Sequence, residues 1–131
     1  MLVEVESFEN HSRSLLLARI HTPVGRAAVV WCGDRDAVPG SFHVEWTVDA
    51  VLGWGRNARP SAVHEPGVGA DGHGVMLRGK LGRLEDGVAV LDLAGEQILL
   101  DVEGPMPGDT DGTWAELIIG QEQVAIYPYS L

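Results

Sequence analysis

Apolar and polar residues alternate along much of this chain, most clearly in residues 40–49, GSFHVEWTVD. Phe42, Val44, Trp46 and Val48 fall on one side of this stretch, and polar residues fall on the other. Because side chains along a β-strand point alternately to opposite faces, the pattern predicts a strand with one buried face and one polar face.

Similar stretches recur from one end of the chain to the other. We predict nine short strands, at residues 2–8, 14–21, 26–32, 40–49, 74–86, 88–94, 98–104, 113–119 and 124–129. Turn residues separate them, and no segment keeps an apolar period of 3.6 residues over three turns. The predicted fold class is therefore all-β, a single small barrel of about nine strands, closed or partly open and antiparallel, with little or no helix.

The length of 131 residues is that of one domain. Within it, residues 1–57 and 74–131 echo each other in the order of their strands and turns, which is typical of a repeat of two β units joined by the loop 58–73. The alternative is that hairpins in general look alike.

Residues 74–129 resemble an oligonucleotide/oligosaccharide-binding (OB) barrel. The long strand VMLRGKLGRLED, with two interior glycines that predict a bend, precedes VAVLDLA and ILLDVEG, a connection and two last strands. The resemblance concerns the fold alone and implies a barrel whose members often bind single strands through aromatic residues and a basic groove. Here the corresponding strands carry Asp92, Asp101 and Glu103 and no aromatic residue, so the fold does not bring the activity with it.

The charge is strongly negative and unevenly distributed. The net charge is −10, and after Arg83 the sequence contains ten acidic residues and no Lys or Arg. Because nucleic-acid backbones repel anions, nucleic acid is an unlikely partner. The acidity is explained either by solubility or by a partner protein with a basic surface.

Two pairs of residues are candidates for binding a partner. Trp54 lies between two glycines next to Arg56, and Trp with Arg frequently anchors interfaces. Tyr127 and Tyr129 share one face of the last predicted strand, where tyrosines next to acidic residues favour protein binding. The other tryptophans, Trp31, Trp46 and Trp114, are expected in the core.

A metal site is the first chemical alternative. Two histidines and two carboxylates fall within ten residues, at His64, Glu65, Asp71 and His73. Their spacing lacks the close pairing of structural zinc sites, so neither a metal nor a cofactor is predicted.

Catalysis is the second alternative. His43, Glu45 and Asp49 on the polar side of residues 40–49 could perform acid–base chemistry, but only if this side lines a cavity. No nucleophile elbow, phosphate loop or dinucleotide motif is present. We therefore expect no catalytic residue, and we expect that the protein is not an enzyme.

The leading functional hypothesis is a non-enzymatic acidic β-barrel module that binds a protein with a basic surface, for example as an immunity or accessory protein. The alternatives are a small-molecule-binding or cyclase-like barrel with a polar cavity, and OB-type binding of single-stranded nucleic acid. No signal peptide or membrane span is visible and the one cysteine, Cys32, cannot form an internal disulfide, so a cytoplasmic location is expected. Self-association is left open.

Overall fold

The computed structural model describes residues 1–72, 74–83 and 87–131, and these residues form an all-β protein. The strands are β1 (Leu2–Asn10), β2 (Leu16–Thr22), β3 (Gly25–Trp31), β4 (Gly40–Val48), β5 (Val51–Leu52), β6 (Ala58–Pro60), β7 (Gly67–Asp71), β8 (Gly74–Arg83), β9 (Val88–Leu93), β10 (Glu96–Val102), β11 (Thr113–Gly120) and β12 (Val124–Tyr129). The only helical element among these residues is a 3₁₀ turn at Gln121–Gln123. The predicted fold class is confirmed.

The strand count is twelve rather than nine, because three short strands lie where the sequence was too rich in Gly and Pro to indicate any. These are β5 and β6, which flank a glycine-rich turn, and β7, which lies within the segment expected to be an irregular loop. Each has two to five residues. A period of two is hard to recognise over so few residues.

Five strands close a barrel. Antiparallel pairs join β1 to β2, β2 to β3, β12 to β4 and β4 to β1, and a parallel pair between β3 and β12 completes the ring. The OB-like barrel is thus confirmed at the level of the fold. The closed ring, however, consists of strands from residues 2–48 and 124–129, so that β12 is its only strand from the segment 74–129 in which the resemblance was seen.

A second set of strands has the same pairing order. In it β8 pairs with β9 and with β11, β9 pairs with β10, β10 pairs in parallel with β5, and β11 pairs with β6. The segment from β5 to β6 therefore lies between β10 and β11, as β12 lies between β3 and β4. The chain thus passes between the two sets twice, since β4 of the barrel leads into β5 of the second set and β11 of the second set leads into β12 of the barrel. That the two halves are a repeat remains a prediction.

The buried side chains of both sets belong to one hydrophobic cluster. Inside the barrel, Trp31 makes edge-to-face contacts with Phe8 and Phe42, at 5.1 and 4.9 Å between ring centroids. The core positions predicted for Trp31 and Trp46 are confirmed. The prediction for Trp114 was wrong, because the inward positions of β11 belong to its alanine, leucine and second isoleucine, and Trp114 lies half-buried on the other face.

Among the described residues, no helix has the length and apolar character needed to cross a membrane.

Candidate functional site

The outer surface of β4 and β12 brings together two groups that the sequence analysis treated separately. In the antiparallel register His43 lies opposite Tyr129, and Glu45 lies opposite Tyr127. Tyr127 and Tyr129 are 45% and 43% exposed respectively, and the ring centroids of His43 and Tyr129 lie 6.0 Å apart. The polar side of residues 40–49 is therefore the outside of the barrel.

Strand β1 extends this surface on the other side of β4. Leu2 lies opposite His43 and is 51% exposed, and Glu4 lies opposite Ser41, whose hydroxyl donates a 2.6 Å hydrogen bond to the Glu4 carboxylate. We call this three-stranded surface the tyrosine face. Its defining residues are Leu2, Glu4, His43, Glu45, Tyr127 and Tyr129.

The carboxylates of the tyrosine face are not neutralised by cations. Glu4 and Glu45, together with Asp49 just beyond β4, form no ion pair within the described part of the chain. The sequence offers no Lys or Arg between residues 36 and 55, or after residue 83. The tyrosine face is consequently a surface of net negative charge.

On the adjoining face of the barrel, formed by β1, β2 and β3, the carboxylates are paired with arginines. There Glu9 accepts a 2.5 Å hydrogen bond from Arg19, and Glu6 pairs with Arg26 at 3.5 Å. These pairs line a wide open groove of about 570 Å³ in which positive and negative charges cancel. Exposed pairs of this kind contribute little to stability, but they leave no excess of positive charge for a phosphate backbone.

Tyr127 stays protonated at physiological pH. Its neighbour Cys32, chiefly through a side-chain hydrogen bond, raises the pKa of Tyr127 above its ordinary value, and burial and the Asp49 carboxylate act in the same direction. The phenol therefore remains a neutral hydrogen-bond donor on an acidic surface.

The other predicted binding pair, Trp54 and Arg56, lies on the turn between β5 and β6. Trp54 is half-buried and packs against the hydrophobic core, so it is not the open platform that its glycine neighbours suggested. Arg56 donates a 2.8 Å hydrogen bond to the carbonyl of Val51 and pairs with Glu103 at 3.3 Å. Trp54 is thus partly covered, whereas Arg56 is held in a solvent-exposed pair. That these two residues bind a partner remains a prediction.

The candidate metal ligands are not gathered at one point. His64 stacks on Trp114, the carbonyl of Glu65 accepts a hydrogen bond from an arginine of β8, and Asp71 ends β7. His73 lies outside the described residues. Within those residues, no three His, Cys, Asp or Glu side chains lie close enough to hold a metal ion.

The conditional catalytic group, His43, Glu45 and Asp49, lies on the exterior. The inward positions of β4 are filled by Val44 and Trp46 within the apolar core. A cyclase-like reaction on this group required a cavity beside it, and an outer strand surface provides no such enclosure.

A polar cluster that the sequence analysis did not single out lies on β11. The carboxylate of Glu116 accepts hydrogen bonds from Arg59 at 3.1 and 3.2 Å, from Ser61 at 3.1 Å and from Arg78 at 3.4 Å. Its side chain is only 17% exposed. Burial by itself would raise the pKa of Glu116, but the hydrogen bonds from Arg59, Ser61 and Arg78 outweigh it and lower that pKa below its usual value.

We expect Glu116→Gln to lower the free energy of unfolding by about 1–2 kcal/mol at pH 7, because the charged hydrogen bonds are lost. Since the pKa is lowered by folding, this contribution is full above the ordinary glutamate pKa of about 4.3 and disappears as the pH falls through the lower folded-state value. Urea unfolding at pH 7 and at pH 3 measures the difference. If the unfolding free energies of the parent protein and of Glu116→Gln differ by the same amount at pH 7 and at pH 3, the lowered pKa of Glu116 is contradicted.

Comparison with known proteins found no matching family model, no matching characterised protein and no matching solved structure.

Proposed function

We propose that the protein is a non-enzymatic binding module that docks its tyrosine face on a basic surface of another protein. The observation that carries this proposal is the combination, on one exposed sheet surface, of two tyrosines with carboxylates that have no cationic partner among the described residues. Tyrosine is enriched in interfaces because it contributes a rigid apolar ring and a polar tip.

Electrostatics favours a partner of a different kind over a second copy of the chain. Two tyrosine faces brought together would oppose Glu4, Glu45 and Asp49 of one copy to the same carboxylates of the other, and like charges across an interface are unfavourable. A partner rich in Lys and Arg gains from the same charges, both in rate of encounter and in choice of orientation. Self-association through another surface stays open.

An immunity or accessory protein that covers the basic cleft of a nuclease is a concrete form of this function, and a cytoplasmic location would suit it. Both statements extend the proposal from the charge of the chain, −10. The small-molecule alternative has less support, because the polar row of β4 faces outward. The nucleic-acid alternative also has less support, because four of the six arginines before residue 66 (Arg19, Arg26, Arg56 and Arg59) are paired with carboxylates.

The double substitution Tyr127→Ser and Tyr129→Ser should weaken binding of the partner at least about tenfold, because exposed aromatic anchors contribute most of the energy of such interfaces. The partner is isolated from native lysate on the immobilised protein, and its affinity is then measured by calorimetry. Leu99→Ser, at an apolar position of β10 that is 63% exposed, is the matched control and should leave the affinity unchanged.

The charge of the face is tested separately from its apolar area. Glu45→Lys should reduce the association rate and weaken its dependence on salt, whereas Glu9→Lys makes the same change in net charge on the neighbouring face and should act much less. A dominant partner that binds equally well to Glu45→Lys, or with no dependence on salt, would refute the proposal. So would a shift of a labelled oligonucleotide at low salt that the tyrosine substitutions leave unchanged.

A further inference from the structure

A tryptophan on the outside of the second strand set forms one wall of a small surface cavity. Trp114 on β11 lies opposite Lys80 on β8, and Lys80 lies opposite Asp92 on β9, so the three side chains form a row across three strands. The cavity has a volume of about 270 Å³, and we call it the Trp114 cavity. It is lined by Pro66, Lys80, Asp92, Ala94, Gly95 and Trp114.

The indole of Trp114 lies on the outer surface of the sheet. Inward packing on β11 is supplied by Ala115 and Leu117, both completely buried, which leaves Trp114 at a half-buried outward position. The imidazole of His64 already stacks on the indole, parallel within 6° and with 6.2 Å between ring centroids. His64 does not line the cavity, so a ligand ring in the cavity would contact the part of the indole that faces it and that His64 leaves uncovered.

Lys80 places a cation next to the same ring. Its ammonium lies 5.8 Å from the centre of the Trp114 ring, a cation–π distance, and it forms no ion pair with any described residue. On the other side of Lys80, one carboxylate oxygen of Asp92 accepts a hydrogen bond from the amide of Gly95 at 2.9 Å. The cavity thus offers a donor with a positive charge beside a carboxylate that can accept further hydrogen bonds.

The cationic group that the cavity itself offers is Lys80. Lys80 and Asp92 are the charged residues of its lining. Next to them on β8 and β11, Arg78 pairs with Glu116, which also pairs with Arg59. Lys80, which has no ion-pair partner among the described residues, is therefore the group that would meet a single anionic group of a ligand, and one such cation would not hold a polyanion.

We propose that the Trp114 cavity binds a small planar heteroaromatic molecule that bears a single anionic group, such as a nucleoside monophosphate or an aromatic carboxylate. The ring stacks on Trp114, the anionic group contacts Lys80, and Asp92 accepts an N–H or O–H of the ligand. The volume of about 270 Å³ lies just under the roughly 300 Å³ at which pockets for drug-sized ligands begin, so a small ligand matches it best. This site is independent of the proposed protein-binding function, because it lies on a different strand set from the tyrosine face.

The test is titration of the full chain with adenosine 5′-monophosphate, followed by tryptophan fluorescence and by calorimetry. Separate titrations with adenosine, inorganic phosphate and indole-3-acetate distinguish the contributions of ring and anion and the two sources of the ligand. We expect saturable binding of the monophosphate or of indole-3-acetate, with phosphate alone at least tenfold weaker. The monophosphate should also quench tryptophan fluorescence, whereas indole-3-acetate is followed by calorimetry alone because its own indole ring fluoresces.

Lys80→Gln should weaken binding of the anionic ligand about tenfold or more without changing the affinity for adenosine, and Trp114→Leu should remove both the binding and the quenching. Arg13→Gln, an exposed cation between β1 and β2, and Trp54→Phe are matched controls that should change neither. Circular dichroism confirms that each variant is folded, and Lys80→Gln, a surface substitution, keeps the test decisive if Trp114→Leu unfolds.

Absence of saturable binding of both anionic ligands at millimolar concentration would overturn the proposal. So would binding that Lys80→Gln leaves unchanged, or binding in which phosphate alone equals the monophosphate. The tyrosine-face substitutions Tyr127→Ser and Tyr129→Ser should leave ligand affinity unaltered, so the failure of one proposal is distinguishable from the failure of the other.

Discussion

Replacing Ile126 with aspartate is expected to abolish the folded state, whereas the same replacement at Tyr127 leaves the protein folded. Ile126 is completely buried on β12, where it lies opposite Trp31 in the parallel pair and opposite Trp46 in the antiparallel pair. A carboxylate there has no partner and costs several kcal/mol, a large part of the roughly 5–15 kcal/mol by which domains are stable. Tyr127 points outward, so Tyr127→Asp should cost no more than about 1 kcal/mol.

The same experiment examines how the two strand sets depend on each other. Because β4 continues into the second set and β11 continues into β12, loss of the barrel should remove support from both sets at once. We therefore expect one cooperative transition in urea for the unsubstituted protein, with circular dichroism and tryptophan fluorescence changing together. Cooperative unfolding of Ile126→Asp at near-normal stability, or two separate transitions in the parent protein, would contradict this interpretation.

Replacing Gly79 with alanine is expected to have the second largest effect, a loss of about 3 kcal/mol or more in the free energy of unfolding. Gly79 lies within β8, and a Cβ atom there would overlap the backbone carbonyl of Asp92 on β9. Backbone atoms in a paired strand cannot move aside as a flexible side chain can, so the two strands must separate. The sequence predicted a bend at this glycine, and the structure shows the close approach of β9 there.

Gly69→Ala is the matched control, since Gly69 also lies in a strand that pairs with β8. A Cβ at Gly69 would meet only the terminal methyl of Met76, at an ordinary 3.5 Å. We expect this substitution to change stability by less than about 1 kcal/mol. Urea unfolding measures the free energy of unfolding of both variants. Equal values would show that a Cβ atom at Gly79 does not force β8 and β9 apart.

Elements with five or more alternating residues were predictable from the chain itself. Residues 40–49 were assigned to a strand with Val44 and Trp46 on its buried face, and the structure agrees. Whether His43 and Glu45 line a cavity or face outward was left open by the sequence, and the fold places them on the outside. The outward pair of tyrosines on β12 followed from the same period. In these cases the apolar residues alternate in the sequence as side chains alternate between the two faces of a strand, so the sequence alone shows which residues share a face.

Features that depend on a distant strand were not predictable. Trp114 was expected in the core, because an aromatic residue next to apolar ones suggests burial. The alternation of side chains along β11 places Ala115 inward instead. The pair between Arg56 and Glu103 joins residues 47 positions apart. Likewise, nothing local indicates that Glu116 meets Arg59 and Arg78, since these contacts span 57 and 38 residues.

The same distinction between local and distant features applies to the candidate site. The sequence alone determined that the chain is all-β, that its tyrosines share one face of the last strand, and that no Lys or Arg follows Arg83. These properties depend on composition and on a period of two, which are local. Only the tertiary structure decided that β12 lies between β3 and β4 while β5 and β6 join β10 and β11. It thereby placed the tyrosines next to His43 and Glu45. Backbone hydrogen bonds can pair any two strands of suitable pattern, and the burial of one shared hydrophobic core determines which of these pairings forms.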